Sequence, residues 1–176
     1  MNACGRLRSV RGVLAAILWM AAFFAYGEEY LGRDEFLSLA FPGQEPQMDM
    51  LWLTEDVREA AQGAVGWAPR GLRQRYWTAG ESTAWILEHI GKDKPITLGV
   101  VVRDGEIERL EVLAFRESRG WEIRHAFFTQ QFSGLQLADD GYLSDHIDGI
   151  TGATLSVRAT EKVARLALWL DAQVRG

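Results

Sequence analysis

A chain of 176 residues has the length of one domain plus an appendage, since single cores hold roughly 100–200 residues. Its 48% apolar and 24% charged residues exclude a disordered chain, and its net charge of −5 disfavours nucleic acid and anionic membrane surfaces, which reward basic patches. The single cysteine, Cys4, stands near the N-terminus, so the rest of the chain holds no disulfide, thiolate metal site or cysteine nucleophile.

Arg6, Arg8 and Arg11 precede an uncharged stretch from Gly12 to Tyr26, which ends in the small-x-small site Ala25-Tyr26-Gly27. A basic segment, a short apolar run and a cleavage site together read as a secretory signal over residues 1–27, with an uncleaved anchor helix as the alternative. The run is short of the roughly 20 apolar residues that a spanning helix needs. Either reading puts the body outside the cytoplasm, in the periplasm or at the extracytoplasmic face of the inner membrane, and the anchor reading adds membrane contact through residues 9–27. Cys4 lies on the wrong side of the apolar run for lipoprotein acylation. Removing residues 1–27 takes away three arginines and no acid, moving the net charge from −5 to −8.

Residues 28–176 form the domain, with a helical N-terminal part (28–75) and a core (76–176). Asp34 reads as the N-cap of a short helix that Pro42-Gly43 stops, and residues 44–50 as a linker. Thr54 caps a second helix, Glu55 to Gln62, whose acidic first turn suits the helix dipole. Residues 63–74 read as an irregular connection. Strands follow at Tyr76–Thr78 and Thr83–Ile90, with Ala79-Gly80-Glu81 as their turn. Ile96–Val102 and Ile107–Phe115 flank Asp104-Gly105, the strongest short hairpin signal, because a type I′ turn needs positive φ at both central residues. The second of these strands alternates imperfectly, which allows a bulge.

Residues 116–122 read as a polar loop, Ile123–Phe132 as a short helix, and Ser133–Ile147 as a long loop. The last helix runs from about Leu155 to Val174. Ala159, Val163, Leu166, Ala167, Leu170 and Val174 mark its buried face, and Arg158, Glu161, Lys162 and Arg165 its wet face. Glu161 and Arg165 have the spacing of a helical ion pair. The fold class is α+β, a small antiparallel sheet with flanking helices.

The chemistry concentrates in Asp148-Gly149-Ile150-Thr151-Gly152-Ala153-Thr154, directly ahead of that helix. Free N–H groups at a helix start favour anions, and Gly149 and Gly152 permit close approach. Thr151, Thr154 and Ser156 supply hydroxyls. On spacing alone the bland reading, a threonine that merely caps the helix, is the better one.

The full seven-residue string resembles the flavinylation motif of the FMN-binding domain family: Asp, Gly or similar, any residue, Ser/Thr, Gly/Ser, Ala, Thr. The hairpin, the loop Glu117-Ser118-Arg119-Gly120 and the Phe128–Phe132 region follow the family's order, so the resemblance spans roughly residues 83–174. It implies FMN joined as a phosphoester to Thr154 by a flavin transferase that uses FAD and Mg²⁺, with Ser156 as the fallback acceptor. Asp148 would serve recognition or activation, and Gly152 and Ala153 would keep the approach open. The loop lacks the family's usual proline, and Arg119 would meet the flavin's N1–C2=O edge. Trp121 would stack on the ring, with Phe128 and Phe132 at its dimethylbenzene edge, although a buried aromatic is more often core.

The implied function is an exported electron carrier between redox partners: a membrane oxidoreductase, a haem protein or another flavin protein. The alternatives are a periplasmic FMN-dependent reductase, and a secreted binding module without flavin. His89, His125 and His146 show no metal-ligand spacing, and Asp139, Asp140 and Asp145 do not match a calcium loop. No hydrolase or nucleotide-loop constellation is present.

Overall fold

A computed structural model describes residues 28–176. The signal or anchor read at 1–27 lies outside the described residues. Strand β1 (Glu28–Glu29), helix α1 (Arg33–Ala40), β2 (Gln47–Trp52), α2 (Glu55–Val65), β3 (Arg73–Ala79), β4 (Ser82–Ile90), β5 (Pro95–Arg103) and β6 (Glu106–Phe115) follow in order. Short helical turns then occupy 121–132, among them α3 (Ala126–Thr129), and α4 (Thr154–Arg175) closes the chain.

Strands β2 to β6 form an antiparallel meander, with β1 added beside β6. The α+β class and the terminal helix are as expected. The β5–β6 turn carries Asp104 at φ 52° and Gly105 at φ 79°, the positive values its Asp-Gly pair foretold. Register shifts interrupt the β5–β6 ladder at Thr97/Leu98 and Val101/Val102. These bulges let Ile107, Leu110, Val112 and Phe115, unevenly spaced in sequence, all reach one core.

That core lies between the sheet and α2 with α4, where Trp85 is fully buried and stacks on Tyr76 at 4.8 Å. On the opposite face α1 covers a smaller cluster. Phe36 sits so close to Gly99 that a Cβ there would lie 2.6 Å from its ring. The far end of α4 is tied to β4 by buried polar groups. Asp171 accepts from Thr83 Oγ1 (2.6 Å) and Arg175 Nε (2.8 Å), and Trp85 Nε1 donates to Thr83 Oγ1 (2.8 Å). Both ends of the network are thereby satisfied, so its burial carries little penalty.

Several local expectations change. The N-cap of α1 is Gly32, and Asp34 sits inside the first turn. Thr54 does cap α2, accepting from Val57 N–H at 3.4 Å, but the helix continues to Val65 before Gly66 ends it at φ 71°. The stretch 44–50, read as a linker, contains most of β2, an edge strand almost wholly exposed, so no burial alternation marks it. The N-terminal part 28–75 is therefore strand as well as helix. The helix expected over 123–132 is broken into short turns around His125. Arg165 does not pair with Glu161; its Nη1 donates instead to Gly141 O at 3.2 Å. Among the described residues no helix is long and apolar enough to cross a membrane.

Candidate functional site

Helix α4 begins at Thr154, and its N-cap is Ala153, with no side chain capping it. The first helical N–H to find an acceptor is that of Val157, on Ala153 O at 3.0 Å. The N–H groups of Thr154, Leu155 and Ser156 thus face outward without intrahelical acceptors. Thr154 is exposed and accepts no capping hydrogen bond, so the cap reading of this residue does not hold. A hydroxyl beside three outward N–H groups at the positive end of a 22-residue helix suits a covalently held phosphate.

The preceding loop fixes that start. Ala153 N–H bonds Ile150 O at 3.0 Å, which closes a turn through Gly152 at φ 83°. A side chain at Gly149 or Gly152 would meet nothing within 4 Å, so the space around the threonine is open. Thr151 is exposed beside them. Asp148 N–H donates to Gln131 Oε1 at 2.7 Å, pinning the loop to the segment after α3, while the Asp148 carboxylate stays exposed. Ala153 is buried and packs inward.

Ser156 is 4% exposed, and a Cβ built on Gly120 would lie 2.7 Å from its Oγ. Its burial under Gly120 leaves the Ser156 hydroxyl much less accessible than that of Thr154, which is exposed. The same contact brings the loop 117–121 against the helix start, as the order of segments suggested. Gly120 itself, at φ 89°, permits the approach.

Glu117 lies elsewhere. Its Oε1 accepts from the N–H groups of Lys92, Asp93 and Lys94 at 2.6–2.8 Å, which organises the β4–β5 turn. Partial burial pushes its carboxyl pKa up, but the three N–H donors and Lys92 outweigh this and hold it below the usual glutamate value. Glu117 therefore shapes the scaffold. Arg119 is exposed. Trp121 is 44% exposed, with its edge on His125 (5.2 Å) and the Arg124 guanidinium over its face (5.0 Å). Phe128 and Phe132 are fully buried against each other at 5.5 Å, so they are core and do not reach a ligand. No group of His, Cys, Asp and Glu fit for a metal ion occurs among the described residues.

One feature escaped the sequence reading. A groove of about 620 Å³ lies between the 142–147 loop and the polar stripe of α4, lined by Arg158, Glu161, Lys162 and Arg165. The wet face of the helix was legible; the loop that folds over it was not.

The antiparallel sheet is thus followed by a terminal helix with an uncapped start and an exposed threonine. Residues 91–168 match the sequence profile of the FMN-binding domain family, so this stretch is an FMN-binding domain. A search of curated proteins finds no match.

Proposed function

We propose that the chain is an exported electron carrier whose FMN is joined through its phosphate to Thr154. The observation that carries this reading is the exposed, non-capping Thr154 hydroxyl at the uncapped start of α4. In the attachment step the Oγ1–phosphorus bond forms, the pyrophosphate bond of FAD breaks, AMP leaves, and the hydroxyl proton passes to a base of the flavin transferase or solvent. Asp148, exposed in the same loop, offers the transferase a carboxylate to recognise. Afterwards the phosphodiester rests on the N–H groups of the first turn, whose partial positive charge offsets its own. Bound FMN supplies reversible electron uptake, and covalent attachment keeps it on the protein where free FMN is scarce.

Electrons would come from a membrane oxidoreductase or a flavin partner and leave to a haem or terminal-reductase partner. The acidic mature domain suits a positively charged docking face. The reading is tested by intact mass of protein coexpressed with a flavin transferase. The wild type and Ser156→Ala are expected to gain one FMN, and Thr154→Ala none. A wild type that gains nothing under conditions where a known acceptor is modified would overturn it.

A further inference from the structure

We propose that the part of the sheet face left bare by α1, where β2 and β3 carry Met48, Met50, Trp52, Arg73 and Arg75, docks the domain on an anionic lipid surface. The docking does not depend on a flavin at Thr154.

Strand alternation and register bring these side chains together. Met48, Met50 and Trp52 stand two residues apart on β2, so all three share one face of the sheet. Their cross-strand partners on β3 are Trp77, Arg75 and Arg73. Trp77 packs against the cluster under α1, which identifies this as the α1 face. A helix is about 10 Å across, whereas six strands span about 24 Å. The buried sheet residues under α1, Ala84, Val101 and Leu113, come from β4, β5 and β6, so the two outer strands stay uncovered. Met48 is 54% exposed, Met50 36% and Trp52 61%, an apolar row facing water.

The cations decide the occupant. Arg73 and Arg75 are exposed and form no ion pair among the described residues. The one acid of β2 and β3, Asp49, alternates to the other face, where Tyr76 Oη donates to it at 3.4 Å. Glu88, on β4 with the facing of Ala84, is taken by Thr97 Oγ1 at 2.6 Å and Arg116 at 3.7 Å. Residues 28–176 carry a net charge of −8, so this local excess of two positive charges orients the domain on a negative surface, and the apolar row supplies the hold. Tryptophan suits the boundary between headgroups and acyl chains, and arginine stems lie along apolar surface while their guanidinium groups meet phosphates. A second copy adding a strand to this edge is less well served, because Asp49 Oδ1 already takes the Met50 N–H in mid-strand at 2.7 Å. Helix α4 packs on the opposite face, so docking leaves Thr154 turned away from the lipid.

The test is an oxidation footprint of the full chain. Met48 and Met50 are the only methionines in residues 28–176, so hydrogen peroxide followed by mass spectrometry of the peptide spanning 34–58 reads this face alone. The readout holds whether or not residues 1–27 attach the chain to the vesicle. Vesicles of phosphatidylcholine with phosphatidylglycerol are expected to slow oxidation of both methionines several-fold, and phosphatidylcholine alone to leave it unchanged. Combined Arg73→Gln and Arg75→Gln is expected to weaken the affinity read from this protection about 25-fold, about fivefold per arginine. Equal oxidation with and without anionic vesicles would overturn the docking, and so would equal protection on both kinds of vesicle. Protection that grows with protein concentration in the absence of vesicles would give the face to a second copy. Protection in intact cells without protection on vesicles would give it to a protein partner. Either result would overturn the lipid assignment.

Discussion

Gly120 joins the two loops on which the site depends. Its positive φ and its packing on Ser156 both exclude a side chain, so Gly120→Ala combines backbone strain with a clash. A loss of about 1–3 kcal/mol is expected by thermal or denaturant unfolding, together with slower FMN incorporation. An unchanged unfolding midpoint would show that the contact is slack. Glu117 yields a pH test. Its folded pKa is depressed, so its stabilising effect is complete above the ordinary glutamate range and fades as pH falls through the lower, folded value. Glu117→Gln is expected to melt earlier than wild type at about pH 7, and the gap is expected to close as pH falls below the depressed folded value. A gap that stays constant with pH would contradict the turn-organising role. Of the residues picked out from sequence, the 148–154 loop and Gly120 do meet at the helix start. Glu117, Phe128 and Phe132 do not join them, because a carboxylate before a glycine loop and an aromatic pair look the same whether they face a ligand or a scaffold.

At the scale of elements, α1 is held by little more than Phe36 on Gly99 and the small cluster around it. Gly99→Ala is expected to push that helix off the sheet at a cost of about 1–3 kcal/mol, with near-ultraviolet circular dichroism and denaturant titration as readouts. At the other end of the molecule, Asp171→Ala leaves the buried Thr83 hydroxyl proton without its acceptor and takes one of the contacts of Arg175, which keeps those to Glu81. A loss of about 2–3 kcal/mol is expected there, and a loss under about 0.5 kcal/mol would mean the network is incidental. The β5–β6 hairpin and α4 were legible because each repeats its signal: an Asp-Gly turn between β-rich runs, and apolar positions at helical spacing over twenty residues. Strand β2 was not. Gln47, Met48, Asp49 and Met50 are all exposed on an edge, so neither alternation nor β-branched composition announces them. Its pairing with β3 is a long-range decision that local sequence does not carry.

For the whole molecule, the meander brings the loop after Gly120, the segment before Asp148 and the start of α4 to one place, and the 142–147 loop then roofs the helix face beyond it. The motif marked that place from sequence alone, since it is short and contiguous. The groove was hidden, because its two walls come from separate segments and only the fold sets their distance. Locating the added mass within the protein tests the central claim most directly. Fragment-ion mass spectrometry of a proteolytic peptide spanning residues 148–158, from protein coexpressed with a flavin transferase, is expected to place one FMN phosphoester on Thr154. The same mass found on Thr151 or Ser156, or its absence from this peptide in protein that carries covalent flavin, would contradict it.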